Sequence, residues 1–241
     1  MKTISSDMTS KEVALRDLSV VIPAYNEQDN IRRAVDQILS GLPPDIIQFE
    51  IIIVNDGSTD ATGEKIRELV SENSRIRGIY HQENMGKGMA LRSGFAAARH
   101  EWILFTDSDL QIEFKTFIDF AACTKFSDVI IGFRTARQDS SFRLYSSRIY
   151  TLLIRLLLGL KLTDINCPFK LFRKKLLEGI DLRSIGFFID TELMYNFLRK
   201  KYRINEVGVV SFARTKGASS VRLRHILEVL AELFALLGRK P

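Results

Sequence analysis

Short, mostly apolar runs alternate with longer stretches whose apolar positions recur every three or four residues through the first half of this chain. Leu18 to Ile22 reads as a buried strand stopped by Pro23. Asn26 or Glu27 then opens a helix with Ile31, Ala34, Val35, Ile38 and Leu39 at helical spacing. Phe49 to Val54 predicts a second strand, and Asp60 caps a helix running to about Asn73. "RIRGIYH" predicts a third strand, and a helix follows from about Met89 to Arg99. "EWILFT" is the fourth strand, Phe114 to Cys123 a further helix, and "DVIIGF" the fifth strand. Such alternation predicts a parallel, doubly wound α/β sheet with the carboxyl ends of its strands on one edge, where ligands bind. "PAYNE", "NDGSTD", "ENMGKG" and "TDSDLQ" all fall at that edge, which implies one composite site.

The second half is less regular. Arg143 to about Leu158 reads as an amphipathic helix, "DINCPFKLFRKK" as a strand or hairpin element, and Asp190 to about Lys201 as a helix. "INEVGVVSF" is a strand and "RTKGASS" a flexible basic loop. A last helix, Val221 to Leu237, lines up Leu223, Ile226, Leu227, Leu230, Leu233, Phe234 and Leu237 along one side.

At 46% hydrophobic residues the 241-residue chain has enough apolar material for a sizeable core, which excludes a disordered chain. Two cysteines, Cys123 and Cys167, are too few for a disulfide framework and point to a reducing compartment. The polar start lacks a signal-peptide core, and no apolar run is long enough to span a bilayer. The net charge of +6 is concentrated between Arg134 and Lys175, where ten basic residues face only Asp139 and Asp164. That segment suits an anionic partner: phosphates, an acidic membrane surface or nucleic acid. Basic repeats interleaved with aromatics are missing, which counts against nucleic acid.

"GKGMALRSG" opens a helix after a strand, but it is not a Walker loop: His81 stands where the first glycine belongs and Gly88 where a serine or threonine should bind magnesium. The dinucleotide fingerprint fails at Leu91. The glycines still allow a close backbone approach to a ligand, and the helix start favours anions. In "VNDGSTD" turn formation and capping account for Gly57 to Asp60, leaving Asp56 to accept hydrogen bonds from a base or ribose. In "TDSDLQ" capping needs one carboxylate, and a second repels it unless a cation compensates. Oxygen donors of this kind suit magnesium or manganese shared with substrate phosphates.

Taken in order, "VVIPAYNE", "IVNDGSTD", "GKG", "FTDSDLQ" and "ARTKGASSV" resemble a family 2 glycosyltransferase of the GT-A fold, over roughly Leu18 to Val221. "DLQ" and "CPFKLFRKK" are most similar to dolichyl- and polyprenyl-phosphate sugar synthases, which move mannose or glucose from GDP-mannose or UDP-glucose to a lipid phosphate. The resemblance implies a Rossmann-like, mostly parallel central sheet flanked by helices, with C-terminal amphipathic helices. It divides the chain into a flexible tail (1–17), a catalytic domain (18–220) and a C-terminal amphipathic helix (221–241). Within the domain it implies a nucleotide-sugar half (18–133) and an acceptor half (134–220). It places Pro23, Ala24, Tyr25 and Glu27 around the nucleoside with Asp56 on the base, and Lys87, Gly88 and Arg92 beside the nucleotide and sugar. Asp107, Asp109 and Gln111 would hold Mg2+ or Mn2+. Arg134 and Arg148 would face the acceptor phosphate, Asp164 the sugar or acceptor, and Arg214 and Ser219 the diphosphate. Pro168 departs from the glycine often found there. The end at Pro241 without a membrane helix implies a membrane-associated soluble form, a partner of a separate membrane subunit, or a shortened chain. Location would be peripheral, on the cytoplasmic face of a membrane.

The expected chemistry is inverting transfer by single displacement, with a cation and Arg214 balancing the leaving diphosphate. A lipid phosphate is already ionised and needs no base, whereas a hydroxyl acceptor does; Asp190 or Glu192 are candidates, unless they only stabilise a helix start. Two alternatives stand beside this reading: a family 2 enzyme with a hydroxyl acceptor, and a catalytically silent nucleotide-sugar or nucleic-acid binder.

Overall fold

The computed structural model describes residues 15–109, 111–136, 150, 152–212 and 223–238. Its strands are β1 (Asp17–Ala24), β2 (Gln48–Asn55), β3 (Ile76–Tyr80), β4 (Trp102–Phe105), β5 (Val129–Ala136), β6 (Lys170–Arg173) and β7 (Ile204–Val210). They form one sheet in the order β3-β2-β1-β4-β6-β5-β7. Every pairing is parallel except the two that β6 makes, with β4 and with β5. The expected mostly parallel, Rossmann-like sheet is therefore present.

The helices are α1 (Ile31–Gly41), α2 (Thr62–Glu72), α3 (Lys87–Ala97), α4 (Phe117–Cys123), α5 (152–158), α6 (Ile189–Arg199) and α7 (Leu223–Leu237). One core cluster joins α1, α2 and α4 to Leu18, Val20, Ile22, Ile51, Ile53 and Leu104. The other joins α3, α5, α6 and α7 to Val21, Ile52, Val54, Ile103 and Phe105. Successive strand residues thus enter opposite layers, and cover on both faces explains the unbroken apolar runs.

Two local expectations change, and a third gains a direction. β1 continues through Pro23 to Ala24, because β4 pairs with β1 only as far as Val21, so the missing proline N–H interrupts no bond on that side. α1 starts at Ile31 rather than at Asn26 or Glu27, since Asn26 takes a positive φ of 55° and residues 26–28 bond to another loop. "DINCPFKLFRKK" contributes β6, which runs against its neighbours. Its first residue, Lys170, therefore reaches the carboxyl edge, while Arg173 to Lys175 lie at the opposite edge.

Gly94 marks the tightest contact between α3 and the sheet: a Cβ there would lie 2.3 Å from Val21 Cγ1. Gly94→Ala should lower stability by about 1–3 kcal/mol through overpacking, measured as a reduced urea midpoint.

Candidate active site

The first two loops of the carboxyl edge are laced together. The backbone N–H groups of Asn26, Glu27 and Gln28 donate to Ser58 Oγ (3.0 Å), Thr62 Oγ1 (2.8 Å) and Asp60 Oδ2 (3.3 Å). In return the N–H groups of Thr59 and Ala61 donate to Asn26 Oδ1 (2.8 Å) and Gln28 Oε1 (3.0 Å). Asp60 also accepts from the Thr62 N–H that opens α2 (2.9 Å), but from one residue outside the N-cap: that position is Ala61, so the expected cap is replaced by an aspartate turn. Pro23 and Ala24 end β1 beneath this unit, Tyr25 stands 40% exposed above it, and Glu27 accepts from Asn30 Nδ2 (2.6 Å).

Asp56 is already engaged within the protein. Its Oδ1 meets His81 Nδ1 (2.7 Å) and the Met85 N–H (3.0 Å), and its Oδ2 accepts the Gly86 N–H (2.8 Å). The side chain therefore fastens the loop before α3, with His81 reaching on to Ser93 Oγ (2.9 Å). The glycines of "GKG" allow close approach to another protein segment. A Cβ on Gly88 would lie 2.3 Å from the Ser184 carbonyl oxygen, and one on Gly86 2.4 Å from that of Ile185. The Gly88 N–H donates to Ile185 O (2.7 Å), so part of the helix start expected to favour anions is taken. Arg92 lies on the flank of α3, lining a cleft with Arg99, Lys174 and Lys175, away from the carboxyl edge.

Asp107 and Asp109 follow β4, with Asp107 about a third exposed. Gln111 Nε2 donates to Asp109 Oδ2 (3.1 Å), which turns the amide oxygen away from that carboxylate. The Gln111 carbonyl accepts the Phe212 N–H (2.8 Å), which ties this stretch to the chain just after β7. Lys87 Nζ lies 2.9 Å from Asp107 Oδ1 and 3.4 Å from Asp190 Oδ2. Asp190 in turn is paired with Lys170, which has no exposed surface and also donates to Cys167 O (2.5 Å). Burial alone would push the Asp190 carboxyl up, but the two ammonium groups hold it below the ordinary carboxylate range. Burial likewise opposes the charge on Lys87, and Asp107 with Asp190 overrides it.

Arg134 and Asp164 meet in a fork, Nε to Oδ2 at 2.7 Å and Nη2 to Oδ1 at 2.9 Å, close to the edge. Beside them burial, followed by the charge of Asp164, pushes the Cys167 thiol up to about 12. The basic segment does not form one face: Lys170 is buried, Arg173 pairs with Glu101, and Lys174 donates to Ala98 O (2.7 Å) at the far edge. Arg148, Arg214 and Ser219 lie outside the described residues. Glu192, a candidate base, is fully buried and accepts the N–H groups of Arg183 (3.0 Å) and Ser184 (2.8 Å). The Lys87–Asp190–Lys170 chain was missed as a unit; its signal was a lysine placed inside the apolar "FKLF" run.

Among the described residues no three His, Cys, Asp or Glu side chains converge as a metal site. Two carboxylates and an amide oxygen nevertheless match what a hard cation takes from protein when water and substrate phosphates complete its shell.

The sheet order and the polar carboxyl edge define a GT-A, Rossmann-like protein. The chain belongs to glycosyl transferase family 2, whose model matches residues 19–181. It is 32% identical to the glycosyltransferase AglD of Haloferax volcanii, over 80% of this chain but 32% of that protein. It is 29% identical to the undecaprenyl-phosphate 4-deoxy-4-formamido-L-arabinose transferase of Edwardsiella ictaluri and 28% identical to the dodecaprenyl-phosphate galacturonate synthase of Rhizobium johnstonii. Those alignments cover 93% and 95% of this chain and 69% of each relative, so the chain spans a third to about two thirds of these proteins' lengths. Among solved structures, glucosyl-3-phosphoglycerate synthase of Mycobacterium tuberculosis, held with Mn2+, UDP and phosphoglyceric acid, superposes with a TM-score of 0.70. The match has 22% identity and covers 94% of this chain and 80% of that one. The TarS fragment of S. aureus with UDP-GlcNAc gives 0.62 at 21% identity, over 93% of this chain and 68% of that one. These likenesses are of fold.

Asp190→Asn should cost about 3–5 kcal/mol, because it leaves the buried Lys170 without its carboxylate. The lowered carboxyl means that this stability is present above about pH 4, the unfolded value, and is lost on acidification. Denaturation of the two proteins at pH 7 and pH 3.5 should show the gap between them narrowing at the lower pH.

Proposed function

We propose that this chain is the catalytic part of an inverting glycosyltransferase that moves a hexose from a nucleotide sugar to a polyprenyl or dolichyl phosphate at a membrane surface. The observation that carries this is a division of labour among carboxylates. Asp107 and Asp109 follow the carboxyl end of β4, Asp107 beside Lys87, while both candidate bases, Asp190 and Glu192, are buried and occupied. An acceptor that must lose a proton is poorly served there; a phosphate is not. The relatives named for polyprenyl-phosphate acceptors agree with this choice.

In this reading residues 18–133 bind the donor, with Pro23, Ala24, Tyr25 and Glu27 around the nucleoside, and 134–220 the acceptor. Donors of the GDP-mannose or UDP-glucose type are its natural candidates. Asp107, Asp109 and Gln111 hold Mg2+ or Mn2+, and such an ion when bound offsets the charge of the leaving diphosphate. Asp164 sets the Arg134 guanidinium with two bonds, which favours planar recognition of an acceptor phosphate oxygen. Arg148, Arg214 and Ser219 add the remaining cations and hydroxyl. Alignment of donor and acceptor supplies most of the catalysis, because the nucleophile needs no activation.

No helix among the described residues is long and apolar enough to cross a membrane. α5 nonetheless exposes Leu152, Leu153, Leu156 and Leu157 while burying Ile154. α7 buries Leu233 and Leu236 and exposes Phe234 and Leu237, so the stripe expected as one face divides into a packed row and an outward row. Outward leucines on short helices suit interfacial contact with lipid, a peripheral cytoplasmic-face placement, and a separate membrane subunit as a further partner.

The test is a donor screen with labelled GDP-mannose, UDP-glucose and UDP-GlcNAc, manganese and polyprenyl phosphate. Label should move into the organic phase, chelation should abolish the transfer, and Asp109→Ala should reduce it by about 100-fold or more. Label appearing only in water-soluble product overturns the lipid acceptor. The double variant Leu156→Glu with Leu157→Glu should bind anionic vesicles at least about tenfold more weakly in flotation, since each leucine contributes roughly 1.5–3 kcal/mol on burial.

A further inference from the structure

We propose that Lys87 is a placeholder cation: its ammonium holds Asp107 until a divalent cation arrives, and is then released, still beside Asp190, to the anion that accompanies that cation. The proposal rests on the reading of Asp107, Asp109 and Gln111 as metal ligands.

Each oxygen of Asp190 has its own lysine, Oδ1 with Lys170 and Oδ2 with Lys87 at 3.4 Å. Lys170 is the nearer of the two and has no exposed surface, so the Asp190 charge is already matched by it. The charge of Lys87 is matched mainly by Asp107, at 2.9 Å. A dication that takes Asp107 removes that match and adds two positive charges beside an ammonium whose side chain is only 13% exposed. An ammonium this far from water is costly to leave uncompensated. Lys87 and Lys170 with Asp107, Asp109 and Asp190 carry one net negative charge; a dication makes the group net positive, and the negative charge of a diphosphate reverses that excess. Metal alone should therefore bind weakly, and metal with diphosphate should bind with positive coupling, each raising the affinity for the other by the same factor.

Lys87→Met removes the ammonium without orphaning a buried charge, because Lys170 still pairs with Asp190. Calorimetric titration of manganese, without nucleotide, compares this variant with the wild-type chain, circular dichroism confirming the fold. The variant should bind manganese more tightly, about five- to a hundredfold, although it has lost a residue of the site. Adding UDP or GDP should tighten manganese binding by a larger factor in the wild type than in the variant. Lys87→Arg, which keeps the charge, should bind manganese alone as weakly as the wild type. Manganese binding unchanged or weakened in folded Lys87→Met overturns the placeholder role. Asp107→Asn separates the two ideas. If it loses manganese binding while Lys87→Met does not alter it, only the placeholder fails. If Asp107→Asn binds as the wild type does, the ion lies elsewhere and the metal reading fails with it.

Discussion

The ion pair between Lys170 and Asp190 organises the carboxyl edge. β6 is the one strand that runs against its neighbours, so it brings its first residue, not its last, to the edge. That residue is a lysine with no exposed surface, placed over the Phe105 ring between β4 and β5. A buried ammonium requires a carboxylate, and the first turn of α6 supplies it. The pair thereby fixes the start of α6 against a strand that arrives from twenty residues earlier. Through the second oxygen of Asp190 it also reaches Lys87 at the start of α3. Three elements distant in sequence meet through one carboxylate, and Asp107 is the only member of the chain that opens substantially to solvent.

The loops around it are held by a repeated device. Asp56 accepts the N–H groups of Met85 and Gly86, Glu192 those of Arg183 and Ser184, and Glu232 of α7 those of Ile185 and Gly186. The loops so fixed then stack on each other where Gly86 and Gly88 allow backbone contact. Charge-assisted bonds to paired amides set a loop more firmly than neutral ones, and they leave fewer carboxylates for chemistry than the sequence contains.

Patterns local in the chain were therefore legible, and pairings between distant segments were not. Apolar runs and helical spacing gave the strands, the layer order and the polar edge, because burial on both faces leaves that record in sequence. "TDSDLQ" stood out because two carboxylates only two positions apart exceed what capping needs. The bonds of Asp56 within the protein were not legible because its partners, His81, Met85 and Gly86, lie some 25–30 positions away. The excess of positive charge from Arg134 to Lys175 suggested a segment suited to an anionic partner, but its charges do not gather in one place. An antiparallel strand sends its two ends to opposite edges, and counting charges cannot see that. The place of Arg92 was hidden for a related reason: it lines the cleft on the flank of α3 with Arg99, Lys174 and Lys175.

The same arrangement bears on what kind of acceptor the edge can serve. Asp190 could act as a base only by giving up Lys170 or Lys87, and giving up Lys170 would strand a fully buried ammonium. Glu192 could do so only by releasing two backbone amides. Base catalysis at either position is thus opposed by folding energy, whereas an anionic nucleophile arrives activated and asks for no such group. The apolar side of such a nucleophile has a matching surface. α5, α6 and α7 pack on the same core cluster, so the outward leucines of α5 and Phe234 of α7 stand on the layer that also delivers Asp190 to the edge. An amphiphile with a phosphate head, the acceptor proposed above, suits both features at once, with a charged head at the edge and an apolar chain along the leucines. A free sugar hydroxyl satisfies neither.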